Sequence, residues 1–321
     1  MSWILSLILV LAGFSYGVPA SAQQAEGVHR IGFVRAGRPP DTFIAGLQQG
    51  LQERGYVYGR NVIVEYRSTD GSLEALPALI EELLRLKVDV ILASAAPAAL
   101  ASRKATKSVP VVFVGVTDPV GLELVSSLAR PGGNLTGISI TPSDLAGKRL
   151  ELLKEVVPGL KRLAVLWRPA NPSNPIQLKG AEAAARTLGV RIQSLPISSV
   201  DDLEAAFKAA RGADALLQLD DPLLLGHRAR IAELAAKSRL PAIYGFREIA
   251  EAGGLMSYGA NLQDLYRRSA TYLDKIFKGA KPADLPVEQP TKFDFVINMK
   301  TAKALGMTIP SGLLLRAELV Q

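Results

Sequence analysis

From Arg30 onward, short apolar runs alternate with longer stretches whose apolar positions recur at helical spacing. Ile31-Gly32-Phe33-Val34, Val62-Ile63-Val64-Glu65-Tyr66, Val88-Asp89-Val90-Ile91-Leu92 and Val111-Val112-Phe113-Val114 have the length and composition of buried strands. Segments 42–54, 73–86 and 97–107 read as the helices between them. The order β-α-β-α-β-α-β requires a parallel sheet, and strands apolar on both sides require helices on both of its faces.

The pattern then repeats. Leu163-Ala164-Val165-Leu166-Trp167 opens a second series, with Val190-Arg191-Ile192-Gln193, Ala213-Asp214-Ala215-Leu216-Leu217 and Pro241-Ala242-Ile243-Tyr244 as its later strands and 176–188, 201–211 and 226–238 as its helices. Local details echo as well: LKVDVIL against RGADALL, SVPVVFV against RLPAIYG, GGNLTGIS against GGLMSYGA. A tandem repeat of this kind predicts an α/β protein of two Rossmann-like, doubly wound parallel-sheet lobes. Ligands bind such sheets beyond the carboxyl ends of the strands, so two facing lobes predict a ligand cleft between them.

Composition narrows the function. The 321 residues are 48% hydrophobic and 21% charged, enough for two cores. Residues 1–22 carry no charge, run apolar from Trp3 to Phe14 and end in Ala20-Ser21-Ala22, the small-x-small mark of a cleaved secretory signal. They lack a basic leading region, and their apolar core is shorter than the about 20 residues of a membrane span. There is no cysteine, which excludes a thiolate nucleophile, a Cys-bound metal and a lipid-anchored cysteine. His29 and His227 stand far apart without metal-ligand spacing, so no metal and no cofactor is expected. The net charge of +7 is spread among acids and accompanied by no nucleic-acid-binding motif, which predicts solubility and no nucleic-acid partner.

Candidate chemistry lies where the strands end. GFVRAGRPP, residues 32–40, has the glycine spacing of a phosphate-cradling loop. Arg38-Pro39-Pro40 stands where such a loop needs lysine and a hydroxyl, so it is not read as a nucleotide site. Ser94-Ala95-Ala96-Pro97 and Thr117-Asp118-Pro119 each read as opening a helix, and Asn171-Pro172-Ser173-Asn174-Pro175 and Asp220-Asp221-Pro222 repeat that chemistry in the second half. Free N–H groups at such starts attract anions. Each is a plain helix cap when taken alone; four converging on one cleft favour ligand contact. The turns at Ser94 and Thr117 would take a carboxylate, and Asp118, Asp220 or Asp221 an ammonium. Arg35 and Arg38 stand at the cleft mouth, where a guanidinium can grip a carboxylate. Trp167 is the leading candidate for stacking on a planar ligand, with Phe246 and Tyr258 behind it; Phe33 and Tyr66 read as core.

At TDPVGLELVSSLARPGGNLTGIS, residues 117–139, and GAKPADLPVEQPTKFDFVINMKTAKALGMTIP, residues 279–310, the chain resembles the tryptophan/tyrosine-type substrate-binding proteins of ABC transporters. The resemblance implies a periplasmic binding protein type I fold, a small-molecule ligand and no catalysis. Its lobes would be 27–140 with about 262–288, and 141–261 with about 289–321, hinged near 140, 260 and 290. The ligand-contacting loops it implies supply Arg35, Thr42, Ser94, Ala95, Ala96, Thr117, Asp118, Trp167, Asn171, Asn174, Asp220, Tyr244 and Phe246. Where relatives carry Gly-Thr or Thr-rich turns, this chain has Ser94-Ala95-Ala96. In the C-terminal motif, Pro282, Pro286 and Pro290 read as an extended crossing, Asn298 as a strand end, and Thr301–Leu305 as a helix start closed by Gly306. The expected protein is a periplasmic monomer that docks on ABC permease subunits in the inner membrane. An aromatic or branched amino acid is the first ligand class, an aromatic acid or purine-like metabolite the second. An enzyme is the competing class, but Ser257 lacks the leading glycine of a nucleophile elbow. A sensor module without a transport role shares the fold.

Overall fold

The computed structural model describes residues 27–140 and 143–321; the expected signal segment, residues 1–22, lies outside them. The first series runs β1 (His29–Ala36), α1 (Asp41–Gln52), β2 (Val62–Thr69), α2 (Leu76–Arg85), β3 (Val90–Ser94), α3 (Ala95–Ala105), β4 (Val111–Thr117) and β5 (Leu135–Ile140). These strands form a parallel sheet in the order β2-β1-β3-β4-β5. β3 is buried along its whole length, as its unbroken apolar run requires of a central strand.

The second series repeats the topology with α4 (Ser143–Val156), β6 (Arg162–Trp167), α5 (Ser173–Leu188), β7 (Arg191–Pro196), α6 (Leu203–Ala209), β8 (Ala215–Gln218), α7 (Pro222–Gly226), α8 (Arg228–Lys237), β9 (Ala242–Tyr244), α9 (Arg247–Glu251) and β10 (Met256–Ala260). Its sheet reads β7-β6-β8-β9-β10, the same 2-1-3-4-5 order as the first. The chain then returns: α10 (Leu262–Phe277) packs on α1 of the first lobe, and residues 287–288 lie beside β5 through hydrogen bonds with Gly137, Ser139 and Leu128. β11 (Phe293–Asn298), α11 (Met299–Ala304), α12 (Ser311–Leu314) and β12 (Glu318–Val320) complete the second lobe, with β11 antiparallel to β10.

The structure revises two local expectations. No helix follows Thr117-Asp118-Pro119; the chain makes turns there, with Gly121 N donating to Asp118 Oδ1 at 2.8 Å. Tyr66 is not core, because β2 is the edge strand and leaves it 38% exposed. The helix start read at Asp220-Asp221-Pro222 is present, as the short helix α7 capped by Asp221. In the C-terminal motif, Asn298 ends β11 and caps α11, its Oδ1 accepting from Thr301 N at 3.0 Å.

The return of α10 rests on a close approach. A Cβ placed on Gly46 would lie 2.3 Å from Gln263 O, and one on Gly50 would lie 2.1 Å from Arg267 O. Both contacts are with helix backbone, which cannot swing away. Gly50→Ala therefore lowers the free energy of unfolding by about 1–3 kcal/mol despite alanine's better helix propensity. Gly147→Ala in α4, whose Cβ would meet only Ala184 Cβ at an ordinary 3.7 Å, raises it by about 0.5–1 kcal/mol. Urea unfolding of the two variants beside the parent checks both signs.

Candidate functional site

The carboxyl ends of β1, β3 and β4 face those of β6, β8 and β9 across a cavity between the lobes. About 430 Å³ there is not filled by protein atoms, open solvent at the mouth included. The first lobe contributes Arg35 at the end of β1, Ala95 and Ala96 after β3, Thr117 at the end of β4, and Phe43 from α1, with Tyr266 reaching in from α10. The second lobe contributes Asn171, Ser173, Gln177, Asp220, Asp221 and Phe246.

Each wall carries one kind of charge problem. Arg35 is 3% exposed and, among the described residues, pairs with no carboxylate. Its Nη1 donates to Ser94 Oγ at 2.5 Å, its Cζ lies 5.4 Å from the Phe43 ring centroid, and its Nε has no partner among the described residues. The hydroxyls of Ser94 and Tyr266 share a short hydrogen bond, and the Tyr266 and Phe43 rings stack at 4.7 Å. Burial pushes the Tyr266 phenol up, so it stays protonated. Opposite, Asp220 Oδ2 accepts from Arg149 Nη2 at 3.0 Å while Oδ1 is buried without a partner among the described residues. The missing side chain of Gly245 leaves room for that carboxylate, since a Cβ there would lie 1.7 Å from Oδ1. Asp221 is committed elsewhere: its carboxylate caps α7 through Leu223 N (2.7 Å) and Leu224 N (3.2 Å) and accepts from Asn171 Nδ2 (2.9 Å). Burial raises its pKa against the pull of those hydrogen bonds.

Of the residues singled out from sequence, Arg35, Ala95, Ala96, Thr117, Asn171, Asp220 and Phe246 line this cavity. Ser94 stands one hydrogen bond behind it. Asn174 is fully buried and holds the loop, with Arg168 N donating to its Oδ1 and its Nδ2 donating to Asp220 O. Thr42, Asp118, Trp167 and Tyr244 do not line it. Trp167 spends its indole N–H on Ser194 Oγ of the edge strand at 2.8 Å, Tyr244 is sealed in the second lobe, and Arg38 is exposed. Tyr266 and Gln177 were not anticipated, because helix interiors give no local sign of facing a cleft; Ser173, the first residue of α5, falls within the Asn171–Pro175 stretch singled out from sequence. Gly115 had a sign: it interrupts an apolar strand run, and at φ +78 it forms a bulge between Val114 and Val116 that sets the direction of Thr117.

Among the described residues, two side-chain hydrogen bonds flanking the cavity join the lobes. Gln177 Nε2 donates to Thr117 Oγ1 at 3.2 Å, and Thr42 Oγ1 donates to Glu248 Oε1 at 3.0 Å. A Cβ on Gly37, in the 32–40 stretch, would lie 2.8 Å from Pro222 O, so that loop abuts α7 of the other lobe. Among the described residues no group of three His, Cys, Asp or Glu side chains is placed to hold a metal, and no helix is long and apolar enough to cross a membrane.

The model of the ABC transporter substrate binding protein family matches residues 37–321. The chain belongs to that family. Its members are substrate-binding proteins and not enzymes, and the two-lobed architecture is the type I periplasmic binding protein fold. A Tyrosine-binding protein of Clostridioides difficile (strain R20291) is 27% identical over 263 residues, 82% of this chain and 76% of the relative. The solved structure of an ABC domain in complex with L-Trp from Streptococcus pneumonia superposes with a TM-score of 0.85 at 28% identity, over 91% of this chain and 99% of that one. A ligand-free, open substrate binding protein with adhesive properties from Clostridium difficile superposes with a TM-score of 0.66 at 26% identity, over 92% and 99%. Identity and coverage are nearly equal, and this chain superposes more closely on the complex than on the open form.

Glu248 makes the interlobe contact sensitive to pH. It is 6% exposed, and burial pushes its carboxyl up. Folding then favours the protonated form, so ionisation counts increasingly against the folded state as pH rises from the ordinary glutamate value of about 4.3. Glu248→Gln keeps an oxygen to accept from Thr42 and removes the charge. Melting temperatures taken from about pH 4 to pH 7 will show the variant gaining on the parent as pH rises; a constant gap contradicts the assignment.

Proposed function

We propose that this chain is the extracytoplasmic solute-binding component of an ABC importer and that it holds an α-amino acid with an aromatic side chain in the interlobe cavity. One observation carries the reading: a buried guanidinium from one lobe and a carboxylate from the other, its Oδ1 shielded from solvent, line the same cavity, among the rings of Phe43, Phe246 and Tyr266. A zwitterion presents its carboxylate to Arg35 and its ammonium to Asp220, so both charges find partners only when both lobes are engaged. The L-Trp complex and the Tyrosine-binding protein among the relatives support the aromatic class.

In this reading the lobes are 27–140 with about 262–288, and 141–261 with about 289–321. The three crossings serve as the hinge, and ligand shifts the population toward the closed arrangement because only that form offers both walls. The loaded protein, a monomer delivered to the periplasm by residues 1–22, passes its cargo to permease subunits in the inner membrane.

A thermal-shift screen of the proteinogenic amino acids tests the class, since a ligand that binds only the folded form raises the melting temperature. L-Tryptophan or L-tyrosine is expected to give the largest shift; no shift with any amino acid ends the proposal. For the best ligand, Arg35→Met and Asp220→Asn each weaken binding about 10- to 100-fold, the cost of a lost charged hydrogen bond. Trp167→Ala and Asp118→Ala, both outside the cavity lining, leave it within about 2-fold.

A further inference from the structure

We propose that Arg149 is a positioning residue that holds the Asp220 carboxylate for the ligand's ammonium and ties it to an interlobe crossing, so that recognition of the ammonium and lobe closure are coupled. The inference rests on the amino-acid reading above.

Arg149 lies on α4, is 3% exposed and does not line the cavity, so it acts on a ligand only through Asp220. Its guanidinium works in two directions. Nη2 donates to Asp220 Oδ2 at 3.0 Å, and Nε donates to the carbonyl of Tyr258 at 2.7 Å. Tyr258 stands two residues before the end of β10, where the chain leaves the second lobe for α10 of the first. On the far side of that crossing, Tyr266 of α10 bonds Ser94, which accepts from Arg35. Arg35 and Asp220 are therefore each linked by hydrogen bonds to positions flanking one crossing, Asp220 to 258 and Arg35 to 266. A planar guanidinium suits this double duty, because its donors diverge at fixed angles and moving one partner displaces the other. α4 itself begins just after the first crossing, so Arg149 also links two crossings within the second lobe.

The test compares L-tryptophan or L-tyrosine, whichever binds the parent more tightly, with its deamino analogue, indole-3-propionate or 3-(4-hydroxyphenyl)propionate. Calorimetry gives the affinity ratio, and interlobe distance is read by fluorescence transfer in a Lys104→Cys/Lys179→Cys background, which the absence of native cysteine makes selective. The parent prefers the amino acid by at least about 10-fold. Arg149→Gln is expected to bring the ratio to within about 2-fold of unity and to reduce the distance change at saturation; Arg149→Lys, which keeps the charge, restores most of the ratio. A structural role alone would weaken both ligands equally and leave the ratio intact, and that result overturns the inference, as does undiminished closure in Arg149→Gln. If Arg149→Gln folds poorly, Arg149→Gln/Asp220→Asn removes both buried charges, and its ratio must equal that of Asp220→Asn alone. A parent that does not distinguish amino acid from deamino analogue refutes the reading of Asp220 itself, and the inference with it.

Discussion

The packing of α10 on α1 is the constraint on which the architecture depends. Had the chain continued in the second lobe after β10, two sheets would hang from one connection and swing freely. Instead, Gly46 and Gly50 let the α10 backbone come within van der Waals distance of α1, which commits sixteen residues to the first lobe and obliges the chain to cross again near residue 290. Several crossings restrict relative motion to a few directions. The same helix brings Tyr266 to the back of Arg35, so the element that fixes the connection also furnishes part of the cavity wall.

A duplicated fold explains why the cavity is amphoteric. Both lobes place the ends of their first, third and fourth strands at the cleft, and those positions are equivalent in topology while free to differ in chemistry. In the first lobe they carry Arg35 and small residues; in the second they carry Asn171, Asp220 and Phe246. Charges buried this far from water are costly unless partnered. Asp220 has half a solution in Arg149, and Arg35 meets the neutral hydroxyls of Ser94 and Tyr266 and a ring face. That imbalance disfavours the unoccupied closed arrangement relative to one containing a ligand of complementary charge, which is the differential a binding protein needs.

The sheets were legible because a parallel strand announces itself locally: β3 is apolar at every position but its last, and the repeat LKVDVIL/RGADALL marks equivalent strands without reference to anything distant. The strand-exit residues were legible for the same reason, and more than half of those singled out line the cavity. What failed to show is direction. Trp167 ends a strand, yet its ring turns to the edge strand and bonds Ser194. Thr117-Asp118-Pro119 reads like a helix cap, but positive φ at Asp118 and Glu123 bends the chain into turns. Tyr266 and Gln177 reach the cavity from helices whose orientation is settled only once α10 meets α1 and α5 meets its sheet. Arg149 is one charged residue among many on an amphipathic helix, and its burial depends on the β10 carbonyl more than a hundred residues away.

The contacts that join the lobes outside the cavity are sparse in a way that matters for the proposed cycle. Two neutral-donor hydrogen bonds, Gln177 to Thr117 and Thr42 to Glu248, are each worth about 1 kcal/mol net in typical proteins. Moving an equilibrium from about 1:99 to 99:1 needs roughly 5.5 kcal/mol of differential affinity. A closed form held by many strong direct contacts would be populated before ligand arrived, and a ligand could add little. In the proposed cycle, the larger share of the closing energy then comes from groups that need the ligand to complete them, the role proposed for Arg35 and Asp220. Selectivity and closure then draw on the same pair of charges, so a ligand lacking either charge would be penalised in both at once.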